Sequence, residues 1–196
     1  MGKWILGVVV VLVLVAAMAG VSTYNSLVAL DQGVQAQWAQ VENVYQRRAD
    51  LIPNLVETVK GAAAFEKDTF TAVTEARAKV GQVNAGDIAN NPEAFAKFQQ
   101  AQDELGGAIA RLLVAVENYP DLKATQNFRD LQTQLEGTEN RITVERQRFN
   151  ETSQAFNTKR QSFPTVLIAG FFGSKFAEKA YFKAQAGAET APKVQF

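Results

Sequence analysis

Between Asn127 and Phe163 the sequence reads NFRDLQTQLEGTENRITVERQRFNETSQAFNTKRQSF. Apolar residues recur here at intervals of seven: Phe128, Leu135, Ile142, Phe149, Phe156 and Phe163. A row spaced by seven follows one side of an α-helix, so the pattern predicts one long helix over residues 122–162. The companion row turns polar: Leu131, Thr138, Glu145 and Thr152. The apolar stripe therefore narrows toward the C-terminal half, where we expect a further packing partner.

A second heptad pattern lies upstream and begins after Asn91-Pro92, which reads as an N-cap followed by proline at the first helical position. Its two rows are Phe95, Gln102, Ile109 and Val116, and Phe98, Leu105, Leu112 and Tyr119. Gly106-Gly107 lowers the helix propensity in the middle of this element, which predicts the close approach of a neighbouring backbone. The run Asn118-Tyr119-Pro120-Asp121 predicts its end.

Two further helices are predicted before these. Over residues 25–46 the apolar positions have helical spacing: Leu27, Leu30, Val34, Trp38, Val41 and Tyr45. We expect this helix to end near residues 47–50, where Asp50 reads as an N-cap with Pro53 in the first turn of the next helix. That next helix carries a row of seven-residue spacing: Ile52, Val59, Glu66, Val73 and Val80. Residues 81–91 are rich in turn formers and predict a loop.

Glu66 is the one charge in that row, and two interpretations remain open. It is a site or register-setting polar contact, or it reaches solvent at the edge of the row, because a buried charge is costly. The fold class predicted from all four elements is all-α: an up-and-down four-helix bundle of long helices, continuous with an N-terminal transmembrane helix.

The N-terminal segment contains 18 residues, 4–21, without a charge or a strongly polar group. This length is sufficient for a helix to cross a bilayer, and Trp4 and Tyr24 lie near its two ends, where aromatic rings favour the headgroup layer. The alternative is a cleaved signal peptide, with Lys3 as its charged start and Ala17-Met18-Ala19 as the cleavage site. Lys3 on one side favours a cytoplasmic N-terminus and an extracytoplasmic bundle.

The composition excludes several classes of function. The chain has 20 basic and 20 acidic residues, no Cys and no His. Without these two residue types, disulfides, thiolate catalysis and Ser-His-Asp chemistry are excluded, and the commonest transition-metal ligands are missing. The balanced charge gives no electrostatic reason to bind nucleic acid. The composition leaves carboxylate-only chemistry and a Ca²⁺ or Mg²⁺ site open. We nevertheless expect no cofactor, no metal site and no nucleic-acid partner.

The C-terminal part contains a short apolar run over residues 165–173, after Phe163-Pro164. This run is too short to span a bilayer as a helix. Residues 163–184 are therefore interpreted either as a membrane-interfacial or oligomer-contact segment, exposing Phe171 and Phe172, or as a cap folded back on the bundle. The predicted organisation is an anchor over residues 1–23, a bundle domain over 24–162, this segment, and a flexible tail over 185–196.

Several motifs occur in order along nearly the whole chain. They are Tyr24-Asn25-Ser26-Leu27-Val28, Arg47-Arg48-Ala49-Asp50-Leu51-Ile52-Pro53-Asn54-Leu55-Val56, Thr58-Val59-Lys60-Gly61, Glu117-Asn118-Tyr119-Pro120-Asp121-Leu122-Lys123-Ala124, Glu139-Asn140-Arg141-Ile142 and Arg148-Phe149-Asn150. Together they resemble the LemA family of bacterial membrane proteins. The resemblance implies a four-helix bundle on an N-terminal membrane helix, with no catalytic residues to carry over. One departure is residues 61–66, which lack the Tyr and His often found there in the family.

Three functions are considered from these features and from the resemblance. The family that the chain resembles includes a magnetosome protein and proteins associated with membrane proteases. The first is a homo-oligomeric scaffold on the bilayer; the second is an adaptor for a membrane-protein partner such as a protease. The third is an enzyme, for which the carboxylate and arginine sets would be examined: Arg47, Arg48 and Asp50, and Glu139, Arg141 and Glu145. Such charges are usually solvated helix faces and cross-helix ion pairs, so we expect no catalytic residue. The candidate interaction or structural residues are Arg47, Arg48, Asp50, Pro53, Asn54, Tyr119, Asn140, Phe171 and Phe172.

Overall fold

The computed structural model describes residues 2–61, 67–83 and 88–183, and no strand occurs within these ranges. The helices are α1 (Gly2–Lys60), α2 (Lys67–Gln82), α3 (Pro92–Val116), α4 (Pro120–Lys123), α5 (Gln126–Gln161) and α6 (Thr165–Phe172). Two 3-10 turns cover Ile88–Asn90 and Gly173–Phe176. The long helix α1 packs along α5, and α2 packs along α3. The predicted all-α fold with an N-terminal apolar helix is therefore confirmed.

Helix α1 is a single element of 59 residues, and the predicted break near Asp50 is wrong. Asp50 is not an N-cap, since its carboxylate accepts a hydrogen bond from Gln46 at 2.7 Å within the same helix. Pro53 lies inside the helix, where its missing N–H leaves the carbonyl of Ala49 without its helical donor. The Arg77 side chain on α2 replaces that donor, with its Nε 3.1 Å from the Ala49 oxygen. This contact lets α1 continue through the proline.

The predicted second helix is consequently divided between two elements. Ile52 and Val59 belong to the last turns of α1, whereas Val73 and Val80 belong to α2, which begins at Lys67. Ile52, Val59 and Val73 are all fully buried, as their seven-residue spacing predicts. Glu66, part of the predicted loop (residues 84–87) and the tail over residues 185–196 lie outside the described residues.

Capping explains where α3 and α5 begin. The Asn91 side chain accepts hydrogen bonds from the backbone N–H groups of Glu93 and Ala94, both at 3.1 Å, which confirms the predicted N-cap. The fourth long helix begins later than predicted. Pro120 opens the short α4, and Thr125 then caps α5 by accepting from the Phe128 N–H at 3.4 Å.

The core forms two apolar clusters along the bundle. The cluster farther from the apolar N-terminal end of α1, named membrane-distal after the predicted anchor, includes Leu55, Leu105, Leu112, Phe128 and Leu135. The membrane-proximal cluster includes Leu27, Trp38, Phe95, Phe149 and Phe156. Both predicted heptad helices thus bury their rows, except that Phe163 lies beyond the end of α5 and is 81% exposed. The α5 helix ends at Gln161, so the seven-residue spacing no longer sets the direction of the Phe163 side chain.

Trp38 is at the centre of the membrane-proximal cluster. Its ring centroid lies 5.7 Å from that of Phe95, 5.1 Å from Phe98 and 5.4 Å from Phe149. Aromatic pairs at such distances each contribute about 0.5–1.5 kcal/mol beyond their buried area. This cluster therefore binds the membrane-proximal part of α1 to both α3 and α5.

After α6 the chain returns along the bundle as an extended segment, residues 177–183, which follows the turn ending at Phe176. Phe176 and Phe182 are buried in the membrane-proximal cluster. This segment packs on the C-terminal half of α5, where the sequence predicts a missing partner. Of the two interpretations left open for residues 163–184, the folded-back cap describes residues 176–183, whereas α6 keeps an exposed outer face.

Candidate functional site

Arg48 lies on α1 between apolar positions and is only 3% exposed. It follows Tyr45 by three residues and precedes Ile52 by four, so all three share the buried side of the helix. The Arg48 guanidinium carbon lies 5.0 Å from the centre of the Tyr45 ring. A cation at this depth requires partners for its N–H groups, because an unpaired buried charge is costly.

Those partners come from the two helices that face α1. On α5, Glu139 accepts from the Arg48 Nη1 at 2.9 Å. On α3, Gln102 accepts twice from Nη2, through its backbone carbonyl at 2.9 Å and its side-chain Oε1 at 2.5 Å. The Arg48 Nε is buried and has no hydrogen-bond partner. One guanidinium thus joins α1, α3 and α5 at a single level of the bundle.

Gly106 lies beside this guanidinium. A Cβ atom at position 106 would lie 3.4 Å from the Arg48 Nη1, at the close end of ordinary van der Waals contact. The prediction that a neighbouring backbone approaches Gly106-Gly107 is therefore wrong, because the nearest atoms belong to side chains. A side chain from α1 approaches α3 there, and at Gly107 the nearest atom is the Nη1 of Arg111, at 3.7 Å.

An open groove of about 1030 Å³ lies between α3 and α5, with Arg48 at its base. Its lining combines apolar side chains such as Ile109, Leu113 and Ile142 with polar or charged ones, which include Gln99, Gln102, Asp103, Glu139 and Arg146. Arg146 on α5 pairs with Asp103 on α3 across the groove, with 3.6 Å between Nη1 and Oδ1. Lys183 lines one end, so the extended segment occupies the membrane-proximal continuation of the same groove.

Side-chain amides hold that segment in place. Asn157 donates to the Lys179 carbonyl and accepts from the Lys179 N–H, both at 2.9 Å. Asn150, one heptad earlier on α5, does the same with Phe182 at 3.0 and 2.9 Å. Gln99 on α3 repeats the pairing with Lys183 at 2.9 and 3.4 Å. The groove therefore binds an extended backbone through paired hydrogen bonds, as a neighbouring β-strand would.

Lys179 anchors the segment with a buried charge. The residue is 1% exposed, and its Nζ donates to the Asp31 carboxylate on α1 and to the Asn90 side chain. The same Nζ lies 4.8 Å from the centre of the Phe156 ring. Because the ammonium has several partners, its burial is compatible with a stable fold.

Burial at the base of the groove also changes the acidity of Tyr45. Removal of its phenol from water raises the pKa of Tyr45 above its usual value of 10.0. The positive charges of Arg146 and Arg48 act in the opposite direction and are outweighed. Tyr45 therefore stays neutral throughout the physiological range.

Of the candidate interaction or structural residues, the structure brings only Arg48 to this groove. Arg48 lines it, and its partner Glu139 belongs to the second predicted charge set, so a cross-helix ion pair is formed. Arg47 points outward and donates to Gln134 at 3.2 Å. The remaining predicted residues lie elsewhere: Asp50, Pro53, Asn54 and Asn140 are exposed on helices, Tyr119 packs on the membrane-distal cluster, and Phe171 and Phe172 are exposed on α6.

Among the amides that hold the extended segment and bind Arg48, the sequence did not predict Gln99, Gln102 or Asn157, whereas Asn150 belongs to one of the motifs quoted above. Gln102 occupies a core position of a heptad row, and a polar residue at such a position is the signal that could have found it. Asn157 and Lys179 carry no comparable signal, since polar residues on long helices and in terminal segments are usually solvated.

The charged groups near the groove do not form a metal centre. Within residues 2–61, 67–83 and 88–183, no cluster of three or more His, Cys, Asp or Glu side chains has the proximity needed for a metal ion. Glu139 is paired with Arg48, and Asp103 with Arg146. The chemistry offered by the groove is the hydrogen bonding of amides and paired charges.

One end of α1 is long and apolar enough to cross a membrane, and its residues 2–19 are exposed to the surroundings in the folded chain. A bundle built on such a helix defines a membrane-associated helical protein. The chain belongs to the LemA family, whose family model matches residues 37–196. The resemblance carried by the sequence motifs is thus confirmed.

Curated relatives extend the similarity over most of the chain. Magnetosome protein MamQ 2 of Paramagnetospirillum magneticum is 27% identical over 184 residues, which cover 85% of this chain and 67% of that protein. Magnetosome protein MamQ of Magnetospirillum gryphiswaldense is 26% identical over the same shares. Protein LemA of Metamycoplasma hominis is 25% identical over 145 residues, 74% of this chain and 63% of that protein.

Proposed function

We propose that this chain is a non-enzymatic, membrane-anchored helical bundle that acts as a homo-oligomeric scaffold or organiser. It crosses the inner membrane once, with its N-terminus in the cytoplasm and its bundle on the extracytoplasmic face. The observation that carries the proposal is the continuity of α1, which joins the apolar segment to the bundle as one helix of 59 residues. A bundle joined in this way keeps a fixed orientation toward the bilayer and presents the same faces to every neighbouring copy.

Two further observations support this proposal. In the groove, Arg48 binds Glu139 and the backbone of Gln102, and Arg146 is paired with Asp103. The relatives named as magnetosome proteins are similar to most of the chain. Both favour a protein that works through contacts between surfaces.

The mass of the full-length protein, extracted with its native lipid, tests this proposal. Mass photometry and imaging of the same particles would give a large, uniform and symmetric assembly if copies associate. A monomer or dimer would contradict the scaffold. Protease protection in intact spheroplasts checks the topology: a tag on the N-terminus should be protected, and a tag inserted at the Pro120 turn should be cleaved.

The groove between α3 and α5 favours a second function, an adaptor that binds a membrane-protein partner such as a protease. Its base is the buried Arg48, and its open part continues directly from the part that holds residues 177–183. The occupied part shows that side-chain amides in this groove can bind an extended backbone. A partner segment of similar extended form would be bound by the same chemistry.

Photocrosslinking in cells distinguishes the two functions. A photoreactive residue at Ala110, which is exposed and lines the groove, should give one defined adduct with a second membrane protein if the chain is an adaptor. Asn140 is exposed on α5 outside the groove and is the control position. Adducts at multiples of the chain's own mass would support the scaffold. The same adducts at both positions, or none at Ala110, would contradict the adaptor.

A further inference from the structure

Helix α6 presents an entirely apolar outer face. Val166, Leu167 and Phe171 are 44%, 65% and 86% exposed. Thr165 and Ala169, which are four residues apart, face inward and are buried. The helix contains no charged or amide side chain that could cover this face. A contiguous apolar patch of this kind is rare on a surface that remains in water.

The position of α6 relative to the anchor indicates what covers the patch. Phe172 packs on Tyr24 of α1, with 4.8 Å between the ring centroids. Tyr24 follows the last residue of the uncharged stretch, Val21, by three positions, which correspond to about 4.5 Å along a helix. Each headgroup layer of a bilayer is roughly 5–7 Å thick. If residues 4–21 cross the hydrocarbon core, α6 therefore lies within the headgroup layer.

A cationic side chain lies just after α6, at the level of Tyr24 on α1. The exposed Lys175 follows α6, donates a hydrogen bond to the Tyr24 hydroxyl and lies 4.9 Å from the centre of the Tyr24 ring. A tyrosine and a lysine at this level fit a membrane interface, where aromatic rings and long cationic side chains reach between lipid and water. The turn ending at Phe176 then returns the chain to the bundle.

We propose that α6 is an interfacial helix, whose face of Val166, Leu167 and Phe171 is buried in lipid at the boundary between headgroups and acyl chains. This proposal rests on the membrane anchoring proposed above. It gives the bundle a second attachment to the same bilayer, beside α1. Together the two contacts fix which side of the bundle faces the membrane, and rotation about the anchor is prevented.

Spin labelling of the full-length protein in phosphatidylethanolamine–phosphatidylglycerol vesicles tests the proposal. The sequence contains no cysteine, so a single introduced cysteine is a unique attachment site. The test variant is Phe171→Cys, at a position that is 86% exposed, so that a label there faces the surroundings of α6. Val114→Cys, 70% exposed on α3 far from the anchor, is the aqueous control, and Leu12→Cys reports on the anchor itself.

The label at position 171 should be relaxed by oxygen, which partitions into lipid. It should not be relaxed by an aqueous nickel chelate, whereas the label at position 114 should be. Equal access to nickel at positions 171 and 114, with position 12 shielded, would overturn the interfacial helix and leave the anchor intact. Nickel access at position 12 would overturn the anchor as well. A second copy covering this face would cause spin–spin broadening at position 171, and dilution with unlabelled protein would remove the broadening. That result would also overturn the proposal.

Discussion

Asn157 is expected to control the docking of the extended segment. Its side chain is 4% exposed and makes three hydrogen bonds, two with the Lys179 backbone and one with the Tyr181 hydroxyl. The variant Asn157→Ala removes all three. The two bonds to the backbone alone contribute about 1 kcal/mol each, and their loss leaves buried backbone groups unpaired. The free energy of opening for residues 177–183 should therefore fall by at least about 2 kcal/mol.

Hydrogen exchange followed by mass spectrometry measures this change directly. A fall of about 2 kcal/mol should accelerate exchange in residues 177–183 by about 30-fold, since each 1.4 kcal/mol is a factor of ten. The segment can leave its groove without unfolding the bundle, so exchange in α1 and the membrane-distal part of α5 should stay nearly constant. Asn140→Ala is the matched control, because Asn140 is exposed on the same helix. Unchanged exchange in residues 177–183, or equal acceleration throughout the chain, would show that Asn157 does not control the docking of the segment.

Four other predictions concern the base of the groove and the proline in α1. Arg48→Ala should lower the free energy of unfolding by about 3 kcal/mol in urea titrations, because buried acceptors lose their donor. Glu139→Gln, at the half-exposed partner, should cost less than about 1 kcal/mol. Arg77→Ala should destabilise the wild-type protein by about 1 kcal/mol. In the Pro53→Ala variant, which regains a backbone donor for Ala49, the same change should have little effect. A double-mutant cycle measures this coupling. Burial raises the pKa of Tyr45 above 10.0 in the folded state. The free energy of unfolding should therefore fall as the pH rises above 10, because the unfolded chain ionises its tyrosine first. Tyr45→Phe should reduce this fall, which denaturant titrations at several pH values would measure.

Periodicity predicted the long helices because apolar rows repeat wherever a helix buries one face. Phe128 to Phe156 in the row of Phe149, and Phe98 to Leu112 in the row of Leu105, are buried as expected. The same reasoning failed at Pro53, where local preference favours a helix start. Arg77 is 24 residues further along the chain and supplies the missing donor, and no local pattern reveals such a tertiary contact.

The candidate site was less predictable than the fold. Arg48 was predicted as part of a motif, but its burial depends on the simultaneous positions of Gln102 and Glu139 on two other helices. The extended segment has neither helical nor strand periodicity, and its partner Asn157 resembles an ordinary surface residue in the sequence. Such contacts between side-chain amides and a non-helical backbone are determined by tertiary geometry alone.

Because α1 is continuous, a tilt of its apolar N-terminal part in the bilayer would also tilt the bundle. The part from Leu27 to Lys60 extends about 50 Å at the rise of an α-helix. Transmembrane helices tilt by about 20° on average, and the tilt responds to bilayer thickness. A change of that size would move the far end of a rigid bundle sideways by roughly 17 Å. Copies in bilayers of different thickness would therefore hold their distal ends at different angles, and membrane thickness would become a displacement that a neighbour can detect.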